Sequence, residues 1–85
     1  MTTEDFNNKY KDYLGERHYG LDIHIPEFIE WLDGRFQEFI KEPNFKYFQI
    51  KEKFGYGRFY AEGISQEAIN EVEDKISLMC KKKLL

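Results

Sequence analysis

Residues 45–62 read FKYFQIKEKFGYGRFYAE and decide the fold. Aromatic and β-branched side chains are frequent in this stretch, and apolar and polar residues alternate after Tyr47, which is typical of a half-buried β-strand. The glycines in the Phe54–Gly57 segment supply a turn, after which the chain returns as a second strand. The sequence therefore predicts an antiparallel hairpin with strands at residues 45–53 and 58–62.

Alternation divides the side chains of this hairpin between two faces. The apolar residues predicted to face the core are Phe48, Ile50, Phe59 and Ala61. The residues predicted to form a partner-binding face toward solvent are Gln49, Lys51, Lys53, Tyr56, Arg58 and Tyr60. Cations beside aromatic rings suit a phosphate, a carboxylate or a stacking base. The alternative is an ordinary solvent-facing sheet, in which alternating charges protect an edge from aggregation.

Three helices are predicted around the hairpin. Thr3 is a suitable N-cap for a helix over residues 4–14, and residues 15–24, which contain two glycines among mixed polar residues, are predicted to be a loop. Pro26 suits the first turn of a second helix over residues 26–41. Its broad apolar stripe includes Trp31, the largest ring of the helix, and Trp31→Ala is predicted to leave a cavity that costs roughly 3 to 5 kcal/mol. Ser65 is a suitable N-cap for a third helix over residues 66–81.

This order of elements, α-α-β-β-α, indicates a small α+β domain that comprises residues 1–85. A two-stranded hairpin alone is marginally stable in water. We therefore expect the second and last helices to cover its inner face and to share one core with it.

The charge is unevenly distributed along the chain. Sixteen acidic and thirteen basic residues give a net charge of −3, which argues against a generic binder of nucleic acid. Residues 1–45 hold ten acidic and five basic side chains, whereas residues 46–85 hold six and eight. The second helix contributes an acidic patch, which is a second candidate surface and consists of Glu27, Glu30, Asp33 and Glu38.

No catalytic, metal or cofactor site is predicted. His18, Asp22, His24 and Cys80 were the strongest metal-ligand candidates, but their spacing fits no zinc pattern. The hydroxyl residues lie at helix starts or within a helix, without a base and an orienting group that would indicate a nucleophile. Cys80 stands alone and no stretch suits a signal segment or a membrane span, so we expect a cytoplasmic protein with no membrane partner.

The segments Gln49–Gly55 and Arg58–Tyr60 resemble a hairpin pattern of small uncharacterised proteins from bacteriophages and prophages. The resemblance extends loosely over residues 25–80. Members often carry a pair of cysteines after the last helix, and this chain has Cys80 alone, so no metal or redox role is carried over.

The resemblance implies a non-enzymatic inhibitor of a host defence protein in the host cytoplasm, similar to anti-CRISPR proteins that bind an RNA-guided nuclease or its guide. In that case nucleic acid is contacted through the protein partner. Two alternatives stay open: a module that binds RNA or single strands through the hairpin, and a structural component of a virion. The sequence does not indicate the oligomeric state.

Overall fold

The computed structural model describes residues 1–16 and 19–84, and the side chains through Cys80. It contains three α-helices and one mixed three-stranded sheet, which confirms the α+β class. The elements in chain order are α1 (Thr3–Lys9), a 3-10 turn (Lys11–Tyr13), β1 (Gly20–Leu21), α2 (Pro26–Phe39), β2 (Lys46–Lys53), β3 (Tyr56–Glu62) and α3 (Gln66–Leu84).

Helix α1 is shorter than predicted and begins one residue earlier. Thr2, not Thr3, is its N-cap: the Thr2 hydroxyl accepts from the Asp5 N–H, and the Asp5 carboxylate accepts from the Thr2 N–H. The prediction that the helix continues to residue 14 is wrong. The Gly15 N–H donates to the Tyr47 carbonyl at 2.9 Å, so the chain must already be extended beside β2 at that point.

Strand β1 lies in a segment that was predicted to be a loop. It pairs in parallel with β2, with Gly20 opposite Gln49 and Leu21 opposite Ile50. The sheet order is therefore β1-β2-β3, and the predicted hairpin forms two of its three strands. Two residues give no detectable periodicity, which is why the sequence alone did not indicate this strand.

Strand β2 contains an irregularity that changes which side chains face the core. Tyr47 pairs with Ala61 and Gln49 pairs with Tyr60. Phe48 is therefore an additional residue in β2 that has no partner on β3. The prediction that Phe48 faces the core is wrong: Tyr47 is fully buried, whereas Phe48 is half-buried and lies over Gly15. Ile50 and Phe59 are buried as predicted.

Helix α2 covers the inner face of the sheet and ends at Phe39, two residues earlier than predicted. Phe36 is at the centre of the core, with its ring centroid 4.8 Å from that of Phe6 and 5.1 Å from that of Tyr47. Trp31 is only half-buried, and the Lys75 ammonium lies 5.4 Å from its ring centroid. The centre of the core is thus Phe36 and not Trp31.

Helix α3 packs along β3 and closes the free edge of that strand. Ser65 caps it as predicted, since its hydroxyl accepts from the Ala68 N–H at 3.2 Å. Gly57 allows the close approach, because a Cβ there would lie 2.3 Å from the Glu73 carbonyl oxygen. The helix extends to Leu84, three residues beyond the predicted end.

Candidate binding face on the sheet

The six hairpin residues predicted to bind a partner form three cross-strand pairs. Gln49 lies opposite Tyr60, Lys51 opposite Arg58, and Lys53 opposite Tyr56. Ile50 and Phe59 form the pair between the first two of these, and both are buried against the helices. Because successive side chains of a strand point to opposite faces, the six lie together on the other side of the sheet. We call these six residues the outer face.

The outer face is exposed and carries two large aromatic rings. Tyr56 is 57% exposed and Tyr60 is 49% exposed, while Gln49 and Lys51 are half-buried. None of the six belongs to the buried core cluster. The helices bury the inner face of the sheet, so the outer face is accessible to a partner.

The cations of the outer face have no carboxylate partner among the residues that the structure describes. Lys51 and Arg58 lie directly opposite each other, and the side chain of neither forms a hydrogen bond or ion pair with any described residue. Like charges in such a pair destabilise a sheet by a few tenths of a kcal/mol, on the order of 0.2 to 1. This repulsion occurs on a face whose three cations give it a charge of +3, although the net charge of the whole chain is −3.

Two nearby carboxylates are engaged elsewhere. Glu52 accepts a hydrogen bond from the Gly55 N–H at 2.7 Å and so stabilises the turn. Asp22 follows β1 and lies 3.5 Å from the Nε2 atom of His24. Neither forms an ion pair with Lys51, Lys53 or Arg58 in the described part of the chain, so the positive charge of the outer face is not neutralised locally.

Phe54 occupies the tip of the hairpin, in the segment that the sequence predicts to be a turn. Its φ is 55° and that of Gly55 is 84°, so both central turn residues have left-handed backbones. The Phe54 ring is 86% exposed, and the Lys53 ammonium lies 5.9 Å from its centroid. The signal that could have identified it is a phenylalanine at a turn position where asparagine or glycine is preferred.

Side chains cap both edges of the sheet. At the β1 edge, the Asn7 amide donates to the Leu21 carbonyl at 3.0 Å and accepts from the Leu21 N–H at 2.9 Å. At the β3 edge, the Gly57 N–H donates to the Ser77 hydroxyl, and the Phe59 N–H donates to the Glu73 carboxylate. These donors and acceptors are unavailable to an added strand at β1 or β3.

The acidic residues predicted as a second surface on α2 do not form a uniform patch. Asp33 accepts hydrogen bonds from the Lys9 ammonium at 2.8 Å and from the Tyr10 hydroxyl. Burial raises its pKa, but these two hydrogen bonds outweigh that effect and hold the pKa below its usual value. The remaining members are exposed: Glu30 pairs with the amino group of Met1, Glu38 pairs with Lys41, and Glu27 extends into solvent.

The candidate metal ligands do not converge in the described part of the chain. His24 Nδ1 lies 2.9 Å from the Thr3 hydroxyl, Cys80 is half-buried on α3, and His18 lies outside the described residues. Over residues 1–16 and 19–84 there is no group of three His, Cys, Asp or Glu side chains arranged to hold a metal ion. The Ser65 and Ser77 hydroxyls serve as a helix cap and as an edge cap.

Comparison with protein-family models, with curated proteins and with solved structures finds no match to this chain. None of the described helices is long and apolar enough to cross a membrane.

Proposed function

We propose that the protein is a non-enzymatic binding module that holds single-stranded nucleic acid on its outer face. The observation that supports this proposal is the row of cross-strand pairs, in which cations without carboxylate partners alternate with exposed tyrosines. Lys51, Lys53 and Arg58 would contact phosphates. Tyr56 and Tyr60 would stack on bases, a contact that tolerates any sequence because every base has a π-face.

The dimensions of the face agree with a short single strand. Tyr56 and Tyr60 are four positions apart on β3, which is about 13 Å at the usual rise of a strand. The Lys51–Arg58 pair lies between them. Sheet surfaces that bind RNA in this way stack two or three bases. We therefore expect a site of about four nucleotides.

The closed edges favour recognition by side chains over strand addition. A peptide that extended the sheet would need the backbone groups of Leu21, Gly57 or Phe59, and side chains already occupy them. The outer face instead offers charge and rings, which complement a flexible polyanion with unpaired bases.

The direct test is the affinity for a fluorescein-labelled eight-nucleotide RNA, measured by fluorescence anisotropy at two or more salt concentrations. We expect the double variant Lys51→Glu/Arg58→Glu to lose binding. We also expect the wild-type affinity to fall with salt, with a slope near −2 if about three phosphates are contacted. The matched control is Lys11→Glu/Lys41→Glu, which makes the same charge change at exposed positions off the outer face. Equal affinity of the two double variants would refute the proposal.

A second candidate function is inhibition of an RNA-guided effector, as the resemblance implies. The observation that favours it is a charge separation across the molecule: α2 packs on the inner face, so exposed Glu27 and Glu38 lie on the opposite side from the outer-face cations. Such a protein would present acids to a basic channel and cations to the guide. It would comigrate with the loaded effector and ignore free RNA, whereas the module proposed above binds free RNA.

A further inference from the structure

The Phe54 backbone is unusual for its residue type. Phe54 is the one non-glycine residue with positive φ among those that the structure describes. The left-handed region is disfavoured for a residue with a Cβ, and it is a genuine outlier for a bulky side chain. Phe54 and Gly55 form a two-residue connection in which both φ values are positive, and such connections prefer Asn-Gly or Gly-Gly.

The Phe54 side chain does not contribute to the core of the described part of the protein. The Phe54 ring lies outside the core cluster and is the most exposed large apolar side chain in the described chain. The Lys53 ammonium, which belongs to the outer face, lies 5.9 Å from the centroid of this ring. Phe54 thus has a strained backbone conformation, and its side chain does not stabilise the core. This combination points to a role of the side chain in binding.

The position of the ring indicates its partner. Phe54 directly follows Lys53 and lies two residues before Tyr56. Lys53 and Tyr56 form the last cross-strand pair of the outer face, next to the turn. We propose that Phe54 is a stacking platform for an additional base, at the end of the strand that lies on the outer face. This inference rests on the proposed function and extends it: the hairpin tip lengthens the footprint and holds the bound strand where it leaves the sheet.

Phe54→Asn tests the inference, because it replaces the ring with the residue that the turn prefers. We expect the melting temperature of the variant to rise, since Asn-Gly is favoured at this turn. We expect its affinity for the eight-nucleotide RNA to fall by roughly five- to a hundredfold, which corresponds to one lost stacking contact. A matched control is Leu78→Asn, which removes an exposed apolar side chain from α3 and should leave the affinity unchanged.

Two further variants separate stacking from simple apolar contact. Phe54→Trp should retain or improve the affinity, and Phe54→Leu should lose most of it, since leucine has no π-face. RNA affinity of Phe54→Leu equal to wild type would overturn the inference. Binding to vesicles of anionic lipid that is lost in Phe54→Asn, with RNA affinity unchanged, would also overturn it in favour of a membrane contact.

The outcomes for Phe54 and for the charge pair are distinguishable. If Lys51→Glu/Arg58→Glu abolishes RNA binding and Phe54→Asn does not weaken it, the proposed function stands and the platform is refuted. If only Phe54→Asn weakens binding, the outer face is not the site, the proposed function is refuted, and the platform fails as the end of a strand that lies on that face. If wild-type protein does not bind the RNA, both proposals fail.

Discussion

The side-chain amide of Asn7 forms two hydrogen bonds with the backbone of Leu21, as a neighbouring strand would. Asn7→Ala should lower the free energy of unfolding by about 1 to 3 kcal/mol, because it leaves both Leu21 groups without their partners. It should also increase self-association, since the edge of β1 becomes available. Urea unfolding and analytical ultracentrifugation measure the two effects. Asn8→Ala, at an exposed position one residue further, should change neither.

Lys51→Glu should separate stability from binding. It places a carboxylate opposite Arg58 and converts a like-charge pair into an ion pair. We expect the free energy of unfolding to rise by a few tenths of a kcal/mol, roughly 0.2 to 1, and RNA affinity to fall. Chemical unfolding and anisotropy titrations of the same preparation check this. A variant that is less stable than wild type would contradict the argument that the pair is repulsive.

Gly34→Ala should stabilise the protein by about 0.5 to 1 kcal/mol. Gly34 lies within α2, and a Cβ built there meets no atom within 4 Å, so alanine adds helix propensity without a clash. Gly57→Ala is the contrasting variant, because its Cβ would collide with the Glu73 carbonyl. We expect thermal unfolding to shift upward for the first and clearly downward for the second. If Gly34→Ala were less stable than wild type, α2 would need glycine at this position for a reason other than the space around it.

Phe36→Ala should cost about 3 to 5 kcal/mol, because it leaves a cavity at the centre of the aromatic core. Trp31→Ala was expected to have that cost on the basis of the sequence. Since the Trp31 ring is half-buried at the rim, we now expect a loss of about 1 to 2 kcal/mol. Denaturant unfolding of both variants gives the comparison. A Trp31 variant as unstable as Phe36→Ala would show that the rim contact with Phe28 and Lys75 contributes more than its burial indicates.

Asp33 should contribute stability that disappears in acid. Its pKa is lowered in the folded protein, so the contribution is present above the unfolded value of about 3.9 and is lost as pH falls through the folded value. Asp33→Asn should therefore be less stable than wild type by about 1 to 2 kcal/mol at pH 7, and the difference should narrow below pH ~4. Urea unfolding across this range measures it. Glu38→Gln, which removes an exposed partner of Lys41, should show a gap near zero throughout.

The parts of the fold that the sequence predicted have local signals. Pro26 and Ser65 mark helix starts by their own chemistry, and alternation over residues 49–53 and 58–62 agrees with the observed register for Gln49, Lys51, Lys53, Arg58 and Tyr60. Tyr56 was predicted to lie in the turn, whereas β3 begins at this residue, two positions earlier than predicted. The parts that it missed depend on contacts distant in the chain. Leu14 leaves the predicted helix because it pairs with Tyr47, as does the Gly15 N–H that follows it, and no local pattern near residue 14 indicates this. The exposed ring of Phe54 was not predicted to bind a partner, because a position in a turn indicates only a connection between two strands.

The irregularity at Phe48 means that β2 contains one residue more than strict alternation requires. The additional residue serves the neighbouring strand: its carbonyl accepts from the Tyr19 N–H at 3.0 Å, and its ring covers Gly15. Deletion of Phe48 would leave Tyr47 on the inner face and Lys51 on the outer face. The segment before β1 would lose the bond from the Tyr19 N–H, whereas the Gly15 and Asp22 N–H groups would keep theirs to Tyr47 and Ile50. A one-residue insertion or deletion between Ile50 and Lys53 would instead transfer charged side chains to the core. Changes in chain length are thus tolerable at one point of this strand and disruptive a few residues later.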